Sequence, residues 1–122
     1  MPNVSLKLLV GDQANITTLS EWIVKSQVAK KKFDIIVDDG GHGNTQIFNS
    51  FQSLFPSALA PGGLYFIEDL HVGRETDWKD ATNQGIIMID VIKDYIEQLV
   101  MGKHTKNHPS ISLASYQWNQ SD

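Results

Sequence analysis

The sequence predicts an α/β fold with a mainly parallel sheet. Three observations predict it. Apolar, strand-like runs alternate with segments of helical period in the order β-α-β-α-β-α-β. Two inner runs, Phe33-Asp34-Ile35-Ile36-Val37 and Leu64-Tyr65-Phe66-Ile67, are nearly unbroken in apolar residues, the pattern of strands covered on both faces. No internal repeat or low-complexity segment interrupts the succession.

The first predicted strand runs from Val4 to Val10. Val4, Leu6, Leu8 and Val10 alternate there with Ser5, Lys7 and Leu9, and Gly11-Asp12-Gln13 ends it. Thr18-Leu19-Ser20-Glu21 then fits a capping box, the Thr18 hydroxyl and Glu21 carboxylate satisfying orphan amides at a helix start. Leu19, Trp22, Ile23 and Ser26 share one face of that helix. Ala29-Lys30-Lys31-Lys32 reads as its solvated C-terminal end, where cations suit the helix dipole. The strand over 33–37 is expected to be buried on both faces, and it runs into the turn Asp38-Asp39-Gly40-Gly41-His42-Gly43. A helix follows over 44–55, with Ile47, Phe48, Phe51, Leu54 and Phe55 toward the core and Asn49 and Gln52 toward solvent.

Pro61-Gly62-Gly63 predicts a turn before the strand over 64–67, which ends in Glu68-Asp69-Leu70-His71. Residues 72–84 are polar and irregular, a loop. Ile86 to Met101 is the longest predicted helix, with Ile89, Ile92, Ile96 and Leu99 as its apolar stripe and Gly102 as its stop. Beyond a linker over 103–109, Ile111 to Tyr116 alternates as a final strand.

A length of 122 residues is that of one small domain, and 41% hydrophobic with 9% aromatic residues can fill a core. A net charge of −4 disfavours a protein that tracks nucleic-acid phosphates. The absence of cysteine excludes disulfides, zinc-thiolate sites and thiol nucleophiles. The first residues lack the apolar stretch of a signal peptide, and no apolar run approaches the ~20 residues of a membrane span. The expectation is a soluble cytoplasmic domain with neither a nucleic-acid nor a membrane partner.

Ligand sites in parallel sheets lie beyond the carboxyl ends of the strands. Those ends are rich in polar groups here: Asp12 and Gln13 after the first, Asp38, Asp39 and His42 after the second, Glu68, Asp69 and His71 after the third. Carboxylates at adjacent strand ends can share a hard divalent cation such as Mg²⁺. If they do, oxygens of Asp39 and of Glu68 or Asp69 should lie within about 5–6 Å of each other without the ion. A neutral imidazole at His42, beside such an ion, can take the proton of a metal-bound hydroxyl. Plainer readings stand beside these. An Asp before a helix is often only a cap, and glycines at 40, 41 and 43 need only mean a tight turn. His104, His108 and Trp78 read as surface or packing residues.

Gly11-Asp12-Gln13, the run from Phe33 to His42 and the run from Pro61 to His71 together resemble the class I S-adenosylmethionine-dependent methyltransferases. Among these the sequence is most similar to the metal-dependent sugar O-methyltransferases of macrolide biosynthesis, the mycinamicin and macrocin type, and to related fungal and algal proteins. The resemblance spans about residues 4 to 100, and the family usually has Ser where Gly41 stands. It implies that Asp39, Glu68 and Asp69 hold Mg²⁺, which grips vicinal hydroxyls of a sugar or other small-molecule acceptor. His42 is then the general base. Asp12 and Gln13 lie near the adenine of S-adenosylmethionine, and Asp38 either faces its methionine end or supports the turn.

The family builds its cofactor site mainly on two earlier strands, one with a glycine-rich Gly-x-Gly loop and one ending in a ribose-binding acid. In the family's sheet order, 3-2-1-4-5-7-6, this chain supplies strands equivalent to 3, 4, 5 and 6 of a Rossmann-like sheet. The expectation is therefore a single truncated domain over 1–122, the C-terminal part of an O-methyltransferase, without that cofactor loop and inactive alone. It can pair with the missing N-terminal half or with a homologue, while exposed strand edges of this kind invite aggregation or non-native pairing. Two other readings stay open: a non-enzymatic binding or interaction module, and a Mg²⁺-dependent hydrolase whose carboxylates activate water.

Overall fold

A computed structural model describes residues 4–75 and 86–101. The first helix, α1, spans Ile16–Lys25 and begins earlier than a box at Thr18 would place it. Asn15 is the cap: its Oδ1 accepts from the backbone N–H groups of Thr17 and Thr18 at 2.9 and 3.3 Å. An extended Asn reaches two orphan amides at once, leaving Thr18 inside the first turn and Glu21 free to pair with Lys25 at 3.2 Å. The predicted inner face is the observed one, with Leu19 buried and Trp22, Ile23 and Ser26 half-buried. The lysines over 30–32 lie exposed beyond the helix rather than in its last turn.

Strand β1, Phe33–Asp38, pairs in parallel with β2, Leu59–Ile67. Helix α2, Asn44–Ala58, crosses between them and runs past the predicted end at Phe55, carrying Pro56 inside. The register joins Ile35 to Leu64, Ile36 to Tyr65, Val37 to Phe66 and Asp38 to Ile67. Pro61-Gly62-Gly63 lies within β2 as an irregularity: β2 advances from Leu59 to Leu64 while β1 advances from Phe33 to Ile35. Gly62 supplies the φ of 77° that this bulge requires.

Ile47 and Phe48 of α2 are buried, and Phe51, Leu54 and Phe55 are half-buried. Phe51 stacks on Phe55 with centroids 4.7 Å apart and meets Tyr65 of β2 edge-on at 5.3 Å. Gln52 is exposed as predicted. Asn49 is not: its Nδ2 donates to the carbonyl of Ala14 at 2.7 Å and is half-buried.

Helix α3, Met88–Met101, completes the core, its Met88 and Val91 packing with Ile47 and Phe48. It is one residue shorter than α2, 14 against 15. Its buried stripe is Met88, Val91 and Gln98 with half-buried Tyr95, whereas Ile96 and Leu99 are 55% and 62% exposed. The predicted stripe is thus off by one residue, about 100° around the axis, and Ile89 and Ile92 sit half-buried at its edge.

Two further expectations are corrected. Residues 4–10 form no strand, because none of the described residues offers them a ladder; Leu6 is 94% exposed. Lys7 Nζ donates to the carbonyl of Lys25, tying this segment to the end of α1. Nor do the described residues cover β1 on both faces. The helices pack on the side of Tyr65 and Ile67, and Ile35, Val37, Leu64 and Phe66 remain exposed on the other. The fold among the described residues is a two-stranded parallel sheet with flanking helices, part of a Rossmann-like layer structure. The predicted strand over 111–116, the linker, Gly102, His104, His108 and Trp78 lie outside the described residues, as does most of the loop over 72–84. Among the described residues no helix is long and apolar enough to cross a membrane.

Candidate active site and metal centre

Parallel pairing brings two strand ends to one edge of the sheet. The ladder continues one residue past β2, the N–H of Glu68 donating to the carbonyl of Asp38 at 3.0 Å. From there one chain turns through Asp39 to Gly43 into α2, and the other passes Asp69 into a 3-10 turn over Leu70–Arg74. Asp69 adopts the left-handed conformation, φ 53° and ψ 35°, which short polar side chains tolerate better than most.

At this edge Asp39, His42 and Asp69 each bring one ligand atom within 4.8 Å of the other two. His42 Nε2 lies 3.5 Å from Asp69 Oδ2. The expected approach of Asp39 to Asp69 is met; Glu68, exposed, is not one of this group of three. His71, to which the sequence attached no role, flanks the group with Nδ1 3.9 Å from Asp69 Oδ1 and Nε2 3.7 Å from Glu75 Oε1. Two carboxylates with open surroundings suit Mg²⁺, which takes one or two of them and completes its shell with water and substrate oxygens. Donors on one such ion lie at most ~4.2 Å apart, so a small contraction would let the Asp39 and Asp69 carboxylates grip it.

Asp12, Gln13 and Asp38 also come together. They line a cleft of about 520 Å³ beside Trp22, Gly41 and Tyr65. Asp38 is only 8% exposed, and its Oδ1 accepts from Gln13 Nε2 at 2.6 Å. The same amide accepts through Oε1 from the N–H of Gly41 at 2.8 Å, so Gln13 bridges the end of β1 and the turn after it. Gly40 suits this approach, since a Cβ there would displace the end of the Gln13 side chain. Asp12 is exposed and closes a local turn, its Oδ1 accepting from the N–H of Ala14 at 2.8 Å.

Burial pushes the Asp38 carboxyl above the ordinary carboxylate range, against the opposing pull of Gln13, the Gly40 backbone, Tyr65 and His42. Tyr65 is pushed up as well, by burial first and then by Asp38. The two groups sit close enough to perturb each other, yet neither Asp38 Oδ2 nor the Tyr65 hydroxyl completes a well-formed hydrogen bond. Tyr65 is a residue that the sequence reading missed. Its signal was a polar tip inside an otherwise apolar strand, on the face opposite Leu64 and Phe66. Trp22, read only as a core-facing residue, also lines the cleft.

No protein-family model matches the chain. Demethylmacrocin O-methyltransferase of Streptomyces fradiae is 45% identical over 62 residues, which are 51% of this chain and 14% of that protein. Mycinamicin VI 2''-O-methyltransferase of Micromonospora griseorubida is 55% identical over 98 residues, covering 75% of this chain and 23% of that protein. In structure the chain is similar to the MycE methyltransferase of the mycinamycin biosynthetic pathway, solved in complex with Mg and SAH. The TM-score is 0.61 at 26% identity, covering 85% of this chain and 26% of that one. The chain therefore spans about a quarter or less of the length of each of these proteins.

Proposed function

We propose, from its likeness in sequence and fold to the macrolide sugar O-methyltransferases, that the chain supplies the metal-and-base side of an active site that uses S-adenosylmethionine. That site moves a methyl group from S-adenosylmethionine to a hydroxyl of a sugar or other small molecule. The observation that carries this reading is the convergence of Asp39, His42 and Asp69 within 4.8 Å at the edge where two parallel strands end. Asp39 and Asp69, joined by Glu68, hold Mg²⁺, and His42 is the general base. Mg²⁺ contributes a template and Lewis acid for vicinal hydroxyls, and the cofactor contributes an electrophilic methyl on sulfur. His42, at the rim of the carboxylates, takes the proton of the hydroxyl whose oxygen forms the new C–O bond as the C–S bond breaks. Asp12, Gln13 and Asp38 flank the cofactor in the cleft, with Trp22 as an apolar wall for the adenine. Fixing both reactants in near-attack geometry contributes to the acceleration.

The chain alone is expected to hold S-adenosylmethionine weakly. The cleft offers it one buried carboxylate, one amide and a Trp face, and each neutral hydrogen bond contributes only ~0.5–1.5 kcal/mol. Micromolar affinity needs ~8 kcal/mol. Calorimetric titration of the 122-residue chain should therefore find no low-micromolar site. To test the site itself, residues 4–101 would replace the matching segment of the Micromonospora enzyme, and methyl transfer to that enzyme's substrate would be measured. The chimera should be active, and His42→Ala should lower its kcat by about 10²–10⁴-fold. An active chimera indifferent to both His42→Ala and Asp39→Asn would refute the assignment.

A second reading, an interaction module that pairs with the rest of such a domain or with a homologue, is favoured by the exposed face of Ile35, Val37, Leu64 and Phe66. The two readings are compatible if pairing completes the cofactor site. Co-expression with the N-terminal part of the Micromonospora enzyme should then yield a stable complex that binds the cofactor.

A further inference from the structure

We propose, resting on the metal centre argued above, that Asn44 is a positioning residue which locks the Asp69 side of that centre to the Asp39–His42 side. Asn44 is the first residue of α2, two positions past His42, and it is buried. Its Nδ2 donates to the carbonyl of Gly73, inside the 3-10 turn that Asp69 opens, at 2.9 Å. Its Oδ1 accepts from the N–H of Met88, the first residue of α3, also at 2.9 Å. One carboxamide thus binds the element after His42 to the element after Asp69 and to the helix behind both.

The need for such a lock follows from the turn. It is five residues long and 3-10 in geometry, too short to hold its own shape. Asp69 enters it in the left-handed conformation, so the place of its carboxylate depends on anchors at either end. Before it stands the ladder bond from Glu68 to Asp38; after it stand the Asn44 bond to Gly73 and the pairing of Arg74 with Asp90 of α3. A carboxamide offers donor and acceptor on one planar group, whereas an ionised Asp offers no donor and Leu offers neither, so neither could serve both partners. Gly73 is shaped to the contact, since a Cβ there would run into the Asn44 carboxamide.

Mn²⁺ binding to the full chain, followed by the paramagnetic resonance of the free ion, tests the assignment alongside circular dichroism. The wild-type chain should bind Mn²⁺, and Asp39→Asn should lose it. Asn44→Asp keeps the acceptor for Met88 and removes the donor to Gly73. It should retain helix content but bind Mn²⁺ about ten- to a hundredfold more weakly, as when outer partners of metal ligands are removed. An added carboxylate by its charge alone would tighten cation binding, so weakening reports geometry. Gly73→Ala should weaken binding similarly, and the double variant should be no weaker than the singles. Wild-type affinity in both single variants overturns the inference. Loss of helix in both also overturns it, because Asn44 would then hold the fold rather than the centre. A wild-type chain with no Asp39-dependent Mn²⁺ site overturns the metal centre itself, and this inference with it.

Discussion

Asp38 holds one carboxylate oxygen against Gln13 and leaves the other, Oδ2, buried without a well-formed hydrogen bond among the described residues. Burial raises its pKa above the ordinary 3.8, so the native state binds this proton more readily than the unfolded chain does. The contribution favours folding below that value and is lost as pH climbs through the raised one, the opposite of a carboxylate held by cations. In urea melts across this window the wild-type chain should lose stability relative to Asp38→Asn, whose neutral amide also accepts from Gln13. Equal pH profiles would show that Oδ2 is solvated in the folded chain. The same residue marks how far the site was legible. Acids at the ends of parallel strands point to Asp38, Asp39 and Asp69 as candidates, because the location of such sites follows from topology alone. Glu68 and Asp69 looked equivalent on paper, and what brings Asp69 to His42 is a φ of 53° that no local pattern announces for an aspartate.

At the scale of elements, α3 shows where periodicity is ambiguous. Apolar side chains occupy both 88, 91, 95 and 89, 92, 96, 99, so two stripes one residue apart fit a helical period equally well. Contact with Ile47 and Phe48 of α2 selects the first stripe, and that choice is tertiary. Accordingly Val91→Ala should cost about 1–3 kcal/mol of stability, while Leu99→Ser should stay within about 0.5 kcal/mol of wild type. Thermal melts of the two variants give the comparison, and the reverse order would restore the stripe through Ile96 and Leu99. Residues 4–10 teach a related point. Their alternation is genuine, but a strand exists only as one side of a ladder, and none of the described residues supplies the other side. The helix over Asn44–Ala58 was legible almost throughout because its apolar positions admit a single face.

For the molecule as a whole, the alternation of elements predicted a parallel pair joined by a helix, and β1, α2 and β2 are that unit. What no sequence pattern revealed is that, among the described residues, the pair is covered on one side alone; the near-continuous apolar runs pointed to cover on both. The open side carries Ile35, Val37, Leu64 and Phe66 in two adjoining register pairs, a surface whose area does not change with pH. The charge that keeps two molecules apart does change. It is −4 at pH 7 and vanishes near the isoelectric point of 5.4. Colloidal behaviour therefore follows from the balance between a fixed apolar attraction and a titratable repulsion. Light scattering from the chain should rise steeply as pH approaches 5.4 and subside at pH 8 and low salt, where the like charges are least screened. Val37→Lys, which sets a cation in the middle of the open side, should abolish the rise at pH 5.4, so that a problem of precipitation becomes a measurement of which face of the sheet sticks.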